Sequence, residues 1–466
     1  MISTPPSTDS GPSPVRAGRT TPSVECDVRL DPASWLDEHG VLLREDDQEW
    51  VYRALTDKGE AVLRHIEAGP GLAKLGGLGL VETERVENPR SLPHRPELKT
   101  MVRHRRIQPV VYPTEWTPVM WQEALAFLCR FMEGLASHGL ALADAHAFNI
   151  LFTPQGRPVF IDFGSLRVAR RRFAVSRSWH RELRRDFLLP LLLQKLGCRQ
   201  LASAVACEPA TSFVKQHYRF SPLLLPTVAF DALYELARLF RRPGLYLRGV
   251  EMALCGKRLA PDQTSWTNYA ATGEGWKGDF VRALLEQITD ASSVLDLAGN
   301  KGTYALFAAK LGKRTLLADI DAASLDQARA TAQRDGIPLL VALTDLCYPT
   351  PPRGLGLLRP SPYERFQSDL VMALAVSHHL AFRRKVPFHT FAEIISRFAR
   401  RYILTEFVGL GDEHVIKWLN KGRQPPSGYS DDQFTQAFAD AGWRVVKRSV
   451  RPDGHRSLYL FERRSD

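Results

Sequence analysis

The chain has 466 residues, of which 44% are hydrophobic and 24% are charged. This composition is typical of a soluble globular protein, and the length suggests about two or three domains. No stretch reaches the roughly 20 apolar residues that a membrane-spanning helix needs, so we expect no membrane partner and a cytoplasmic location. The formal net charge of +11 allows an acidic partner. Because the arginines are spread along the chain without interleaved aromatics, a nucleic-acid partner is allowed but not favoured.

The first 25 or so residues are rich in Pro, Ser, Thr and Gly, and we predict a disordered tail over residues 1–27. The tail has no apolar run, so it does not resemble a signal peptide. The six cysteines follow no CxxC or Cys/His spacing, which argues against a zinc site or a disulfide framework and favours free thiols. They are Cys26, Cys129, Cys198, Cys207, Cys255 and Cys347.

Residues 28–250 are the second predicted unit. Up to about residue 110 the pattern is mixed, with short apolar runs and the glycine-rich stretch GPGLAKLGGLGL. From 116 to 138, apolar residues recur at helical spacing and a glycine ends the run, which predicts a helix. A loop, a short strand over 150–152, a turn and a strand over 159–161 follow, and Leu-rich helical patterns continue to the end of the unit.

The segment DAHAFNILFTPQGRPVFIDFG, residues 144–164, resembles the metal-handling core of a protein kinase. The resemblance implies an α+β kinase-like domain with a reduced N-lobe. In it, Asp144 matches the catalytic aspartate, and Asn149 and Asp162 match two magnesium ligands. Carboxylate and amide oxygens suit magnesium, so ATP and magnesium are the cofactors that this resemblance implies.

Other parts of the kinase pattern are missing. Leu142 and Ala143 stand where a His-Arg or His-Gly pair normally precedes the aspartate, and no strand of the Val-Ala-x-Lys type supplies a lysine for the phosphates. The candidates for this lysine are Lys58, Lys74 and Lys99, and nothing in the surrounding sequence favours one of them over the others. Three interpretations stay open: phosphate transfer, nucleotide binding without transfer, and a degenerate scaffold that positions a substrate or partner.

Residues 251–290 are predicted to form a linker and a helix that covers a cofactor site. The stretch PDQTSWTNYAATGEG is polar and rich in turn-forming residues, which indicates a domain boundary, and FVRALLEQI predicts a short helix after it. Trp266, Tyr269 and Trp276 either form a lid over the site or serve as packing residues.

Strands and helices alternate over residues 291–466, which are the last predicted unit. Near-continuous apolar strands separated by helical patterns predict a parallel sheet covered on both faces. The final segment, WRVVKRSVRPDGHRSLYLFERR, predicts a hairpin, which completes a seven-stranded α/β Rossmann-like sheet. The five parallel strands are predicted over 293–299, 315–320, 338–346, 368–376 and 402–408.

Acidic residues and glycines gather at the ends of the first three of these strands. The first strand ends in Asp296, and a tight loop with Gly299 and Gly302 leads into a helix. Glycine lets the backbone approach a ligand closely, and the start of a helix offers free N–H groups. Asp319 ends the second strand, where it could bind ribose hydroxyls, and Asp345 ends the third, where it could bind an adenine amino group. The loop lacks the three-glycine dinucleotide pattern and a phosphate-binding Lys-Ser/Thr.

This strand order with three acidic strand ends resembles a class I S-adenosylmethionine-dependent methyltransferase. The resemblance implies S-adenosyl-L-methionine as the cofactor, with Asp296, Gly299 and Gly302 at its methionine part, Asp319 at its ribose and Asp345 beside its adenine. The stretches DLVMALAVSHHLA, ILTEFV and TDLCYPTPPRGLG further resemble a bacterial group related to rhizobial nodulation methyltransferases, which are linked to decoration of sugar-containing signals. The loop AGNKG carries fewer glycines than many such enzymes have.

Candidate catalytic residues follow the fourth strand and lie on the fifth. His378 and His379 could act as general base for a hydroxyl acceptor, because imidazole titrates near working pH, or could pack against the next helix. We favour His379 slightly as the base. Glu406 could face the acceptor or be a structural carboxylate. No Asn/Asp-Pro-Pro-Tyr/Phe motif, which enzymes that methylate exocyclic amines usually carry, follows the fourth strand, and this favours oxygen methylation.

The sequence therefore predicts an S-adenosylmethionine-dependent methyltransferase, acting on oxygen of a small-molecule or carbohydrate-like acceptor, with a kinase-like accessory domain. The alternatives are a bifunctional enzyme that also phosphorylates a small molecule, and an RNA methyltransferase. The intact Asp296, Asp319 and Asp345 disfavour a binding protein without activity. Neither the identity of the acceptor nor the oligomeric state follows from the sequence.

Overall fold

The computed structural model describes residues 29–464, with two longer segments, 196–223 and 260–274, left out. The shorter stretches that are also left out are residues 32–33, 35–36, 45–48, 88–91, 93–94, 96, 170–176 and 257–258. The tail predicted over 1–27, the aromatic residues Trp266 and Tyr269, and Cys26, Cys198 and Cys207 lie outside the described residues.

An antiparallel sheet of five strands forms the N-terminal part, where the sequence showed only a mixed pattern. Its strands are β1 (Arg29–Leu30), β2 (Gly40–Arg44), β3 (Trp50–Leu55), β4 (Thr83–Arg85) and β5 (Thr100–Arg105). They lie side by side in the order β1-β2-β3-β5-β4. Helices α1 (Asp57–Ala68) and α2 (Leu72–Leu78) connect β3 to β4. Thr56 caps α1 by accepting a hydrogen bond from the backbone of Gly59, and the glycine-rich stretch forms α2.

A long helix, α3 (Pro118–Ser137), forms the centre of the next part and confirms the helix predicted over 116–138. The Thr117 hydroxyl accepts a hydrogen bond from the backbone of Met120 at 3.2 Å, and Pro118 has no N–H that needs a partner at this position. Two antiparallel strand pairs follow: β6 (Leu140–Leu142) pairs with β9 (Leu166–Val168), and the hairpin of β7 (Ile150–Phe152) and β8 (Pro158–Phe160) lies between these two strands in the chain. Within the described residues of the next stretch, the α-helices are α4 (Arg177–Leu183), α5 (Leu189–Lys195), α6 (Leu224–Leu239) and α7 (Pro243–Cys255).

A sheet of seven strands forms the C-terminal part. Its strands are β10 (Ser293–Leu297), β11 (Arg314–Asp319), β12 (Leu339–Leu343), β13 (Ser368–Ala373), β14 (Ala399–Val408), β15 (Trp443–Val450) and β16 (Arg456–Arg463). Their order is β12-β11-β10-β13-β14-β16-β15, with β10 to β14 parallel and β16 antiparallel to both of its neighbours. The parallel sheet and its terminal hairpin were predicted from the sequence, and both are confirmed.

Helices cover both faces of this sheet. They are α8 (Gly275–Gln287), α9 (Thr303–Lys310), α10 (Ala322–Arg334), α11 (Pro362–Arg365), α12 (Ser377–His379), α13 (Phe388–Phe398), α14 (Glu413–Leu419) and α15 (Asp431–Asp440). Val281 and Leu284 of α8 pack with Leu370 and Leu404 of the sheet in one buried cluster, while the other face joins a larger core. No helix in the described part of the chain is long and apolar enough to cross a membrane.

The predicted linker over 251–290 contains regular structure at both ends. Helix α7 extends into it as far as Cys255, and α8 occupies its last part. Trp276 of α8 packs against the cluster on the outer face of the sheet, and its indole N–H donates a hydrogen bond to the Ser449 hydroxyl at 2.7 Å. In this structure Trp276 is therefore a packing residue and does not line the C-terminal cavity described below.

The N-terminal and C-terminal parts share one continuous hydrophobic core. Residues of α3 and of β11 belong to the same buried cluster. Polar contacts cross the boundary as well: the Thr117 hydroxyl donates to Asp326 Oδ1 at 2.6 Å, and Arg365 Nη2 lies 2.8 Å from Glu115 Oε1. The side chains of Arg365 and Glu115 are 3% and 0% exposed, so this ion pair is shielded from water. Because the charges are buried, each depends on the other for stabilisation.

Substitution of Arg365 should reveal how strongly this boundary depends on the buried pair. We expect Arg365→Ala to lower the free energy of unfolding by about 3 kcal/mol or more, because Glu115 would be left as a buried charge without its cation. Chemical denaturation measures this difference. Arg334→Ala removes an arginine from an exposed pair with Asp335 and should leave the unfolding free energy unchanged. Equal stabilities of the two variants would contradict the prediction.

Candidate functional site

A cavity of about 460 Å³ opens where the carboxyl ends of β10, β11, β12 and β13 meet. Strand order reverses here, because β11 lies on one side of β10 and β13 on the other, and such a point is where open α/β sheets bind ligands. Asp296, Asp319 and Asp345 all line the cavity. The structure therefore brings together the three acids that the sequence placed at successive strand ends, and their individual binding roles stay predictions.

The loop between β10 and α9 lies against this cavity in a conformation that favours small residues. Ala298 and Asn300 have φ values of 57° and 51°, and Gly302 has 69°. A Cβ atom on Gly299 would lie 2.5 Å from the Cγ atom of Asp296, which is too close for any side chain. Of the two glycines that the sequence singled out, Gly302 is thus required by its positive φ, and Gly299 by the close approach of the backbone to Asp296.

Asp319 ties this loop to the second strand. Its Oδ2 atom accepts a hydrogen bond from the backbone N–H of Asn300, and its Oδ1 atom accepts one from that of Asp321, both at 2.8 Å. Each carboxylate oxygen retains a further lone pair, so Asp319 can still accept hydrogen bonds from ligand hydroxyls. Asn300 thus helps to hold the loop, and its side chain donates to the Ser324 hydroxyl at 3.0 Å.

Asp345 lines the cavity just beyond the end of β12, the strand next to β11. Its Oδ1 atom accepts a hydrogen bond from the backbone of Cys347 at 2.8 Å. Its Oδ2 atom lies 3.4 Å from a guanidinium nitrogen of Arg384. Because the Asp345 side chain is 25% exposed, it forms part of the rim and not of the buried floor.

Asp296 is the most buried of the three acids, at 2% exposure. Its Oδ2 atom has no hydrogen-bond partner within the described part of the chain. Burial, and then the nearby charge of Asp319, raise the pKa of Asp296 to about 7. A buried carboxyl group with an unsatisfied oxygen is suited to a cationic ligand, which would favour its ionised form.

The two candidate histidines line the same cavity. His378 is buried, its ring stacks on that of Trp418 at 5.5 Å, and its Nδ1 atom has no hydrogen-bond partner among the described residues. The ring of His379 lies 4.9 Å from that of Trp418. Burial lowers the pKa of His378 to about 3 and that of His379 to about 2, and the positive charge of Arg456 contributes at both. Both imidazoles are therefore neutral and weakly basic here.

Glu406 lies within a buried network of ion pairs. One of its oxygens lies 2.5 Å from Lys277 Nζ and accepts a hydrogen bond from the backbone of Ala375 at 2.9 Å. The other oxygen lies 3.2 Å from a guanidinium nitrogen of Arg456. The Glu406 side chain is fully buried, and these contacts favour the structural alternative that the sequence left open.

The cavity also contains residues that the sequence analysis did not single out. They are Lys277, Arg383, Trp418 and Arg456, among others. Lys277 comes from α8, ahead of the sheet, and Trp418 comes from α14, which follows β14. None of them belongs to a motif or stands at a strand end, so the sequence carries no local signal of their position.

A second cleft of about 560 Å³ lies between the N-terminal sheet and the two strand pairs after α3. Asp144, Asn149 and Asp162, the residues of the kinase-like motif, all line it. Arg53 of β3 reaches Asp162 Oδ1 at 3.2 Å and also pairs with Asp37. Arg53 is 5% exposed at its side chain, so this triad of charges is largely buried. The structure thus brings the three motif residues to one cleft, together with a cation from β3.

The cation that lies beside Asp162 in this cleft is Arg53, and not one of the three candidate lysines. Lys58, Lys74 and Lys99 do not line the cleft, and Lys58 forms an exposed pair with Glu38 at 2.7 Å instead. The sequence analysis missed Arg53 because it searched for a lysine in a Val-Ala-x-Lys strand.

The metal-binding roles of Asn149 and Asp162 stay predictions. In the described part of the chain no group of three or more His, Cys, Asp or Glu side chains is arranged to hold a metal ion. Asn149 Nδ2 lies 3.5 Å from the backbone carbonyl of Asp144, and Asp162 Oδ1 accepts a hydrogen bond from the backbone of Gly164 at 3.0 Å. Arg359 from the C-terminal part also lines this cleft.

The chain is similar to one curated protein and, over less than half of its length, to several solved structures. The nodulation protein NoeA of Rhizobium meliloti (strain 1021) is 26% identical over 403 residues, which cover 78% of this chain and 82% of NoeA. The magnesium protoporphyrin IX methyltransferase ChlM of Synechocystis PCC 6803, solved with bound SAM, is 15% identical with a TM-score of 0.31, covering 44% of this chain and 87% of that chain. The CcbJ methyltransferase from Streptomyces caelestis is 11% identical with a TM-score of 0.31, covering 44% of this chain and all of that chain. No protein-family model matches the chain.

The raised pKa of Asp296 predicts a pH dependence of stability. Its folded pKa of about 7 exceeds the ordinary value of 3.8, so the folded protein binds the extra proton between these values and loses stability as the pH rises through about 7. The free energy of unfolding of the wild type should therefore fall between about pH 5 and about pH 8. In Asp296→Asn we expect this fall to be smaller by on the order of 2 kcal/mol.

Chemical denaturation at several pH values measures this dependence. Asp335→Asn, an exposed aspartate at the end of α10, serves as the matched control and should keep the wild-type pH dependence. If Asp296→Asn and the wild type lose the same stability over this range, the buried carboxyl does not have the raised pKa.

Proposed function

We propose that this chain is an S-adenosylmethionine-dependent methyltransferase that methylates an oxygen atom of a small-molecule or carbohydrate-like acceptor. The observation that carries the proposal is the single cavity that Asp296, Asp319 and Asp345 line at the ends of three adjacent parallel strands. Three acids at these positions suit a ligand that has hydroxyl groups, an amino group and a positive charge. S-adenosylmethionine has all three.

The residues around the cavity fit this cofactor in their chemistry. Asp319, which retains acceptor capacity, would bind the ribose hydroxyls, and Asp345 at the rim would lie beside the adenine. The unsatisfied Oδ2 atom of Asp296 would face the cationic methionine part. Gly299 and Gly302 keep the loop free of side chains where the ligand must approach. When bound, the cofactor supplies a methyl group carried on a positively charged sulfur.

The acceptor would enter from the side of α12 and α14. His378, His379 and Trp418 line this side of the cavity, and the aromatic face of Trp418 offers a surface on which a ring-shaped acceptor can lie. Glu406 supports the site through Lys277 and the backbone of Ala375 and does not itself need to reach the acceptor. These residues would orient the acceptor and exclude water from the reacting oxygen.

Cofactor binding tests the proposal directly. We expect isothermal titration calorimetry to show saturable binding of S-adenosylmethionine and S-adenosylhomocysteine to the wild-type chain. Asp319→Ala should weaken this binding by about 100-fold or more, because it removes the ribose acceptor and releases the loop at Asn300. Asp335→Ala should bind as the wild type does. A well-folded wild-type chain that binds neither compound would contradict the proposal.

A second function is supported by the pairing of Arg53 with Asp162. We propose that the N-terminal cleft binds an adenine nucleotide with magnesium, with or without phosphate transfer. Asn149 and Asp162 would hold the metal ion, Asp144 would face a phosphate acceptor, and Arg53 is the cation that neutralises Asp162 in the structure described here. Carboxylate and amide oxygens suit magnesium, and a cation at this place suits nucleotide phosphates.

Nucleotide binding can be measured apart from any activity. We expect ATP with magnesium to raise the melting temperature of the wild-type chain, and Asp162→Ala to abolish this shift. Lys58→Ala, which removes an exposed cation outside the cleft, should keep it. If the wild-type chain turns over ATP in the presence of magnesium and Asp162→Ala loses this turnover, the cleft catalyses phosphate transfer in addition to binding the nucleotide. A wild-type melting temperature that ATP and magnesium leave unchanged would contradict the proposal.

A further inference from the structure

Two carboxylates of the chain engage the Arg53 side chain in the N-terminal cleft. The Nη2 atom of Arg53 lies 3.2 Å from Asp162 Oδ1, and its Nη1 atom pairs with Asp37. Each of these nitrogens keeps a second N–H, but only 5% of the Arg53 side chain is exposed. A ligand phosphate therefore reaches this guanidinium only by taking the place of one of the two carboxylates.

The two carboxylates differ in what they offer to a nucleotide. Asp162 belongs to the kinase-like motif and is one of the residues proposed above to hold magnesium, so it has to stay in place. Asp37 lies between β1 and β2, outside the motif, and lines the same cleft as Asp144 and Asn149. Its negative charge beside Arg53 repels any phosphate that approaches this cation. Asp37 is thus the carboxylate that a phosphate would displace.

The position of Asp37 is fixed from several sides. Its Oδ1 atom accepts a hydrogen bond from the backbone N–H of His39 at 2.8 Å. The Thr56 hydroxyl, next to the start of α1, donates to the carbonyl of Glu38 at 2.7 Å, and the Thr56 N–H donates to the carbonyl of His39 at 3.1 Å. A Cβ atom on Gly164 of the kinase-like motif would collide with the Asp37 carboxylate. The carboxylate therefore lies directly against the motif and is held there by its neighbours.

We propose that Asp37 is an internal competitor for nucleotide phosphates, because it occupies the Arg53 guanidinium and so lowers the affinity of the N-terminal cleft for its ligand. The inference rests on the proposed nucleotide-binding function and adds an autoinhibitory contact to it. When a nucleotide binds, a phosphate oxygen replaces the Asp37 carboxylate at Arg53, while Asp162 keeps its contact. The free energy of binding is reduced by what it costs to separate the buried pair.

Removal of the Asp37 charge tests the proposal. Asp37→Asn keeps an oxygen that can accept the hydrogen bond from His39, and Arg53 keeps Asp162 as its counter-charge, so we expect this variant to fold. By isothermal titration calorimetry its affinity for ATP with magnesium should exceed that of the wild type by about tenfold or more, because Arg53 can then form charge-assisted hydrogen bonds to a phosphate. If circular dichroism shows that Asp37→Asn does not fold, Asp37→Ser provides a hydroxyl at the same place and repeats the comparison.

Glu38→Gln is the matched control, since it removes the same charge from the neighbouring residue. Glu38 also lines the cleft, but its carboxylate pairs with Lys58, and both of these side chains are more than half exposed. Water and salt screen such an exposed charge. We expect Glu38→Gln to bind ATP with magnesium as the wild type does. An equal gain of affinity in Glu38→Gln and Asp37→Asn would reflect a general effect of charge and would overturn the proposal.

Two simpler ligands show which part of the nucleotide Asp37 affects. Inorganic tripolyphosphate with magnesium has the phosphates alone, and adenosine has none. Asp37→Asn should bind tripolyphosphate more tightly than the wild type does, and should bind adenosine with unchanged affinity. A gain for adenosine as well would indicate a loosened cleft, and unchanged or weaker binding of ATP would indicate that Asp37 positions Arg53. Either result rejects the proposal. If neither the wild type nor Asp37→Asn binds any of the three compounds, the nucleotide-binding function itself is rejected.

Discussion

The parallel sheet of the C-terminal part gathers the ends of its strands at one edge, and the chemistry of the site depends on this geometry. Asp296 and Asp319 end adjacent strands, so two carboxyl groups that are 23 residues apart in the chain interact electrostatically in a buried place. Keeping them there costs free energy, which the burial of apolar strands on both faces must offset. A cationic ligand would reduce that cost, because it would stabilise the ionised carboxyl groups.

The two cavities of this protein are linked by shared structure. The connection between β12 and β13 contains Asp345, on the rim of the C-terminal cavity, and later places Arg359 in the N-terminal cleft. The guanidinium carbon of Arg359 lies 3.9 Å from the centre of the Phe148 ring, next to Asn149 of the kinase-like motif. The same segment of chain is then anchored by the buried pair of Arg365 and Glu115. One connection therefore takes part in both sites and in the boundary between them.

The distribution of charge differs between the two sides of the C-terminal cavity. The side of the parallel strand ends has acids, with Asp296 and Asp319 buried in its floor. The side of α12 and α14 has cations and neutral histidines, with Glu406 already neutralised by Lys277 and Arg456.

Much of the C-terminal fold can be predicted from local sequence, since apolar runs of strand length and helical periodicity report directly on burial. The same runs place Asp296, Asp319 and Asp345 at strand ends, and parallel pairing then brings them together. The N-terminal sheet is different, because β3 pairs with β5 across about 50 residues and its strands are short. Arg53 and Asp162 are 109 residues apart, and Trp418 reaches His378 from another element. Ion pairs, ring contacts and the pKa shifts that follow from burial depend on distances between remote parts of the chain. Local periodicity carries no information about those distances, so they are established only when the elements pack against one another.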